Sequence, residues 1–253
     1  MIYKIEHSTV IILAGGFGTR LRTVVKDVPK PMAPINGRPF LEFQLSFLEQ
    51  SGVQNVLIAT GYKADVIRDY FGHAFRSLTL RYSHEDEPLG TGGGLIKAAG
   101  SVNPLEPLFV MNGDTFFPIS LNDMMMSHQV NKAGITIAMM KTNERGRYSA
   151  FDVASNGRLS LGSDSALVHK SGGIYLFSPE MVSDLQARRV ERLSFEDDLT
   201  PMFLGADLRL FAYIADVPFI DIGLPDDYHR AGLVIGQYEI ENPNVPGVQG
   251  VVK

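Results

Sequence analysis

Cysteine is absent from the 253 residues. No disulfide, thiolate zinc site or cysteine nucleophile can therefore contribute to stability or chemistry. Positive charge is sparse: Lys and Arg number 23 against 28 Asp and Glu, the net charge is -5, and no basic cluster occurs. That balance argues against a nucleic-acid-binding surface and for a small partner, and any anion site must concentrate its positive charge locally. Long hydrophobic runs are missing too. The apolar run in MIYKIEHSTVIILAGG is far too short to span a bilayer and enters a glycine-rich turn without a small-residue cleavage site. The expectation is a cytoplasmic protein that engages no membrane. Six histidines are scattered without HxxxH spacing and no GxSxG elbow occurs, so neither a helical zinc site nor a serine hydrolase is expected.

What is present begins at residues 13–21, LAGGFGTRL. Residues 10–13 read as a short buried strand, after which the glycines let the chain turn sharply beneath a ligand. Backbone N–H groups in such a turn can face an anion, and Arg20 adds a permanently charged planar fork suited to phosphate oxygens. Two common nucleotide fingerprints fail here. No GxxxxGK[ST] is present, and Gly16 and Gly18 are followed by Leu21 where a dinucleotide motif needs its third glycine. That failure also argues against an NAD-dependent oxidoreductase. Residues 28–32, VPKPM, bracket Lys30 with prolines that hold its backbone extended and present the ammonium on a stiff segment.

The chain is long enough for one large α/β domain, the preferred reading, or two small ones, and 45% hydrophobic residues supply a core. Residues 54–59, 78–83, 108–111 and 135–140 read as strands, and 40–50 and 63–71 as helices followed by Gly52 and Gly72. Strand and helix in alternation predict a mostly parallel sheet with crossover helices, and ligands in such sheets sit beyond the carboxyl ends of the strands. After about Lys141 the runs shorten: 148–153, 158–161 and 173–177 read as strands, with a hairpin at Asn156-Gly157. Helices are predicted at 179–188, 195–204 and 226–238, a strand at 219–222, and a loop or frayed tail from Glu241. Met124, Met125 and Met126 read as methionines that a helix packs into core gaps.

Two aspartates follow apolar strands: Asp114 in VMNGD and Asp221 in FIDIG. Taken singly such residues are ordinary turn formers, but hard carboxylate oxygens at two strand ends could also share one Mg²⁺. Residues 87–94, EPLGTGGG, read as a loop and helix start whose glycines would also let backbone groups approach a flat base edge. Guanine presents two adjacent donors on its Watson–Crick edge, so Glu85 or Glu87 is a candidate acceptor.

LAGGFGTRL, VPKPM, EPLGTGGG, NGD and FIDIG together resemble the sugar-phosphate nucleotidyltransferases, which join a sugar 1-phosphate to a nucleoside triphosphate. The resemblance spans nearly the whole chain. It implies a Rossmann-like three-layer α/β/α sandwich with a mixed, mostly parallel central sheet, the glycosyltransferase-A-like fold, over a single domain of residues 1–240. In that domain residues 1–115 would bind nucleotide and 116–240 sugar. It implies catalytic roles for Arg20 and Lys30, and nucleotide contacts from Leu13, Ala14, Gly15, Gly16, Gly18, Thr19, Glu87, Gly90, Thr91 and Gly92. For the sugar it implies Asn112, Gly173 and Glu196, and for Mg²⁺ it implies Asp114 and Asp221. Many members carry Asn where Ser171 stands and a Glu-Lys-Pro segment upstream. Between Leu161 and Lys170 that lysine is absent, so Lys170 is read either as its replacement or, in preference, as a solvated residue. Residues 13–21 and 28–43 look most like guanylyltransferases acting on D-glycero-α-D-manno-heptose 1-phosphate, with GTP the favoured triphosphate and cell-surface glycan synthesis the setting. Mannose-1-phosphate guanylyltransferases and N-acetylmuramate 1-phosphate uridylyltransferases are the alternatives, the latter because of the triple glycine. A nucleotide-sensing module is the non-enzymatic one, and a homo-oligomer is compatible with either.

Overall fold

A computed structural model describes residues 3–16, 18, 20–21, 24–142, 150–161, 168–206 and 208–241. The chain begins with strand β1 (Thr9–Leu13), the short pair β2 (Pro34–Ile35) and β3 (Arg38–Pro39), helix α1 (Phe40–Gln50), β4 (Asn55–Thr60) and α2 (Ala64–Phe71). It continues through β5 (Ala74–Phe75), β6 (Leu78–His84), α3 (Gly90–Ala99), β7 (Leu108–Asn112), β8 (Thr115–Phe116) and α4 (Leu121–Val130). Then come β9 (Ile135–Thr142), β10 (Ala150–Val153), β11 (Leu159–Leu161), β12 (Val168–Phe177), α5 (Pro179–Ala187) and α6 (Thr200–Gly205). The last described elements are β13 (Leu210–Ile214), β14 (Ile220–Asp221) and α7 (Pro225–Glu241).

Strand β1 is buried on both faces, which is why TVIIL reads as an uninterrupted apolar run. Val10 and Ile12 join one core cluster and Ile11 the other. Its parallel neighbours are β4 and β7, and β4 pairs in parallel with β6. Among the described residues these strands belong to a 10-stranded sheet, in which β12 runs antiparallel to β7, β9 and β10. Buried residues of α1, α2, α4 and α7 pack in the cluster on one face, and those of α3, α5 and α6 pack on the other. The result is the expected three-layer α/β/α sandwich with a mixed, mostly parallel centre.

Four local expectations need correction. Strand β13 was not anticipated; it is a half-buried strand, without clean alternation, formed by parallel pairing with β9. Residues 195–204 are helical as expected but not uniformly α: Phe195–Leu199 form a π-helical turn that runs directly into α6 at Thr200, with right-handed helical backbone at both Leu199 and Thr200. Pro201 has no N–H to donate back to residue 197, so that one rung is missing where the π-helical turn passes into α6. Met124 and Met125 are buried in the core, whereas Met126 is 64% exposed, because one face of α4 meets solvent. Glu241 ends α7, while 242–253 lie outside the described residues. The hairpin at Asn156-Gly157 joins β10 to β11, with Gly157 at φ 82° and its N–H donating to Ala154 O at 2.8 Å.

Candidate active site

In the order β7-β1-β4-β6, the chain leaves β1 toward β4 on one side and β7 sits on the other, so a topological switch point lies between β1 and β7. A ligand crevice is expected beyond the carboxyl ends of such strands. A cleft of about 750 Å³ opens there, lined by Leu13 and Ala14 after β1 and by Asn112, Gly113 and Asp114 after β7. Gly113 N–H donates to Leu13 O at 2.9 Å, which ties the two strand ends together. Gly16, Gly18 and Arg20 form part of the same wall. Thr19 lies outside the described residues.

Lys30 opens a one-turn 3₁₀ helix behind Pro29, whose φ and ψ of -66° and 153° hold the chain extended up to it. Its ammonium lies 2.5 Å from Asp114 Oδ2 and 3.9 Å from Asp221 Oδ1. The two aspartates are far apart in sequence and meet because β14 pairs with β8, with Asp221 opposite Thr115. Ile222 N–H donates to the Asp114 main-chain O at 3.0 Å, which ties the two segments together, and Gly223 N–H donates to Asp221 Oδ1 at 2.6 Å, which sets that carboxylate. Gly18 takes φ 58° and passes over Lys30; a methyl group there would sit 3.1 Å from Lys30 Cβ. Arg20, Lys30, Asp114 and Asp221 thus face one cleft. The donor set fits a hard divalent cation that uses one or two carboxylates and takes its other ligands from phosphate and water. A cage of three or more ligating side chains is absent among the described residues.

The opposite wall comes from β12 and the π-helical turn. Gly173 adopts φ 78° in the irregular stretch between Ser171 and Tyr175, and an added Cβ would lie 2.5 Å from Thr115 Oγ1. Only glycine lets the strand pass so close to β8. Ser171 donates its hydroxyl proton to Tyr175 OH at 3.0 Å and accepts from Gly173 N–H at 3.1 Å. Burial, reinforced by the nearby Glu196, pushes the Tyr175 phenol up. Burial likewise raises the Glu196 carboxyl, with Asp114 adding to the rise and hydrogen bonds from Thr91 and Asn112 opposing it. Asn112, Gly173 and Glu196 line this side of the cleft.

The segment expected to read the base is divided between the cleft wall and packing against other elements. Glu87 is exposed and lies outside the cleft wall. Glu85 is buried, accepts from Leu89 N–H at 3.1 Å, and sits where an added Cβ at Gly15 would come within 2.9 Å of its Oε1. Burial raises its carboxyl above the usual range. Gly15, Glu85, Gly90 and Gly92 are not among the residues lining the cleft, and the Gly92 N–H is taken by Leu193 O at 2.8 Å. Thr91 does line the cleft, but its hydroxyl is engaged by Phe195 and Glu196. Lys170, preferred as a solvated residue, is buried, and its Nζ lies 5.2 Å from the centre of the Phe219 ring, itself part of the cleft. Sequence reasoning missed Phe151, Thr200 and Phe219 in the lining. Phe151 carries no local signal, since only the pairing of β10 with β12 brings it there.

With this geometry in view, comparisons with known proteins are specific. The chain is 39% identical over 224 residues to the D-glycero-α-D-manno-heptose 1-phosphate guanylyltransferase of Campylobacter jejuni, covering 87% of this chain and 96% of that one. It is 37% identical over 237 residues to the enzyme of the same name from Aneurinibacillus thermoaerophilus, covering 90% and 98%. Among solved structures, HddC from Yersinia pseudotuberculosis complexed with GMP-PN superposes with a TM-score of 0.76 at 31% identity, covering 89% of this chain and 98% of that one. The model of the nucleotidyl transferase family matches residues 9–237, and the chain belongs to that family.

Proposed function

We propose that this chain is a guanylyltransferase that joins GTP to D-glycero-α-D-manno-heptose 1-phosphate, giving the GDP-heptose and pyrophosphate. The observation that carries the reaction class is Lys30 held between Asp114 and Asp221 at the mouth of the glycine loop. Choice of base and sugar rests on the relatives at 37% and 39% identity over nearly their full length.

The obstacle in such a reaction is repulsion between an anionic nucleophile and an anionic triphosphate, which fixed cationic groups relieve. An oxygen of the sugar phosphate attacks the α-phosphorus. The new P–O bond forms as the bond to the bridging oxygen of the β-phosphate breaks, and pyrophosphate leaves with that electron pair. The nucleophile is ionised at neutral pH, so no general base is required. Leu13, Ala14, Gly16 and Gly18 line the nucleotide cradle, nucleotide contacts are assigned to Gly15 and Thr19 as well, and Glu85, beside Gly15, is assigned as acceptor for the guanine edge. Arg20 neutralises the β- and γ-phosphates, and Lys30 bridges the α-phosphate and the incoming sugar phosphate. Asn112, Gly173 and Glu196 receive the sugar. Asp114 and Asp221 would hold Mg²⁺, which supplies charge neutralisation at the reacting phosphate when bound.

Residues 1–115 then serve as the nucleotide half and 116–240 as the sugar half of one domain, working in the cytoplasm toward a cell-surface glycan. Among the described residues no helix is long and apolar enough to cross a membrane. The test is a matrix of GTP, UTP, ATP and CTP against heptose, mannose, glucose and N-acetylmuramic acid 1-phosphates, read by pyrophosphate release. Highest kcat/KM with GTP and the heptose phosphate is expected. A higher value in another cell would replace the substrate assignment, and silence in every cell would leave a nucleotide-sensing module.

A further inference from the structure

Three consecutive glycines at the start of α3 face protein. A methyl group at Gly93 would collide with Glu191 O, and one at Gly92 would stand 3.1 Å from both Leu193 Cβ and Leu193 O. Their N–H groups, at 2.8 and 3.2 Å, both donate to Leu193 O, and Leu193 N–H returns a bond to Leu89 O at 2.9 Å. The glycines therefore dock the chain that leads into the π-helical turn. Just beyond this seam Thr91 Oγ1 accepts from Phe195 N–H at 2.8 Å and donates to Glu196 Oε2 at 3.2 Å. A threonine hydroxyl has one proton; with the backbone N–H filling its acceptor side, that proton is directed to the carboxylate.

Asn112 also hydrogen-bonds the Glu196 carboxyl, whereas the neighbouring carboxylates are engaged within the turn. Ser194 N–H donates to Asp198 Oδ2 at 2.7 Å, and the Ser194 hydroxyl lies 3.1 Å from Asp197 Oδ2, so the two neighbouring carboxylates are held by the turn itself. The Phe195 ring packs edge-on against Tyr175 with centroids 4.5 Å apart, which anchors the backbone from which Glu196 projects. Burial disfavours the charged carboxylate, and the hydrogen bond from Thr91 opposes that cost.

We propose that Thr91 is a positioning residue for the sugar side of the cleft: its hydroxyl orients Glu196, and the seam formed by Gly92, Gly93 and Leu193 couples the base-side helix α3 to that carboxylate. The inference rests on Glu196 receiving the sugar 1-phosphate. It gives the triple glycine a packing role that is independent of which base is read. It also makes α3 the element through which both halves of the cleft share one frame.

The experiment compares Thr91→Val, Thr91→Ser, Glu196→Gln and the Thr91→Val/Glu196→Gln double variant in the full chain. KM for GTP and for D-glycero-α-D-manno-heptose 1-phosphate is measured separately, with α-D-mannose 1-phosphate replacing the heptose phosphate if wild type turns over only that sugar. Thr91→Val is expected to raise the sugar-phosphate KM about tenfold while changing the GTP KM less than about twofold, the loss typical of a hydrogen bond to a charged group. Thr91→Ser should restore the wild-type values, and Val at 91 should add nothing further when Glu196 is already Gln. An unchanged sugar KM in Thr91→Val, an equal rise for GTP, or full additivity in the double variant would overturn the proposal. An unchanged sugar KM in Glu196→Gln would instead remove the reading of Glu196 on which it stands, and the proposal with it.

Discussion

The ammonium of Lys30 lies 2.5 Å from Asp114 Oδ2, and the two residues are 84 positions apart in the chain. Pro29 stiffens the approach to the lysine, and the end of β7 delivers the aspartate. Because Asp221 Oδ1 is also only 3.9 Å from the same nitrogen, one cation stands between two anions at the point where phosphates would react.

Removing that cation is expected to affect turnover more than affinity. Lys30→Ala should lower kcat by about 100-fold or more with a KM change of no more than a few-fold, as for a charge that acts mainly in the transition state. Steady-state kinetics with GTP and the sugar phosphate check this, and near wild-type turnover would eliminate the role.

Asp114 and Asp221 together make a predicted requirement for a divalent cation. Chelation with EDTA should abolish pyrophosphate release, and added Mg²⁺ should restore it. Asp114→Asn and Asp221→Asn should each shift the Mg²⁺ concentration for half-maximal rate upward by about tenfold or more, since each removes a hard charged oxygen. Metal-independent turnover in EDTA would contradict the pairing of these carboxylates with a cation.

Glu85 and Glu87 separate cleanly by position. Glu85 is buried behind Gly15, whereas Glu87 is exposed. Glu85→Gln is expected to reduce the GTP over UTP preference by about tenfold, the scale of one hydrogen bond made by a charged acceptor. Glu87→Gln should leave the preference alone. The ratio of kcat/KM for the two triphosphates is the measurement, and an unchanged ratio in Glu85→Gln removes Glu85 from base recognition.

Acid stability should depend on a histidine far from the cleft. His128 on α4 contacts Thr136 Oγ1 through Nδ1 at 2.8 Å, and its Nε2 is buried with no hydrogen-bond partner among the described residues. Burial pushes its pKa down from 6.5 to about 4. The unfolded chain thus takes up the proton first on acidification, and stability is full above pH 6.5 and falls as pH drops toward 4. The loss by pH 4 is about 3 kcal/mol. Urea unfolding from pH 7.5 to 4.5 should show this slope in wild type and a shallower one in His128→Gln; equal slopes would refute it.

Much of the architecture could be read from local pattern. The apolar runs of β1, β4, β6, β7 and β9 and the helical spacing of α1 and α2 announce themselves because each segment is buried in a way its period of two, its uninterrupted run or its 3.6-residue spacing reflects. Strand β13 could not, since Phe211 to Tyr213 are half-buried without alternation and only tertiary pairing, with β9 on one side and the Gly157-Arg158 turn on the other, defines it. The change from π-helical to α-helical winding at Thr200 leaves no periodicity that a local pattern could report.

For the site, the amino-acid sequence alone determined the chemical inventory: a glycine turn with Arg20, a proline-bracketed Lys30, and acidic residues closing two strands. Each is recorded locally because glycine, proline and strand-end aspartate have backbone consequences within a few residues. Tertiary structure alone decided which of these groups meet, since the approach of Asp221 to Asp114 depends on β14 finding β8, and the use of the Gly92-Gly93 surface depends on Leu193 arriving from the other half of the chain. Such contacts are set by packing between distant segments, and neither segment carries a mark of its partner.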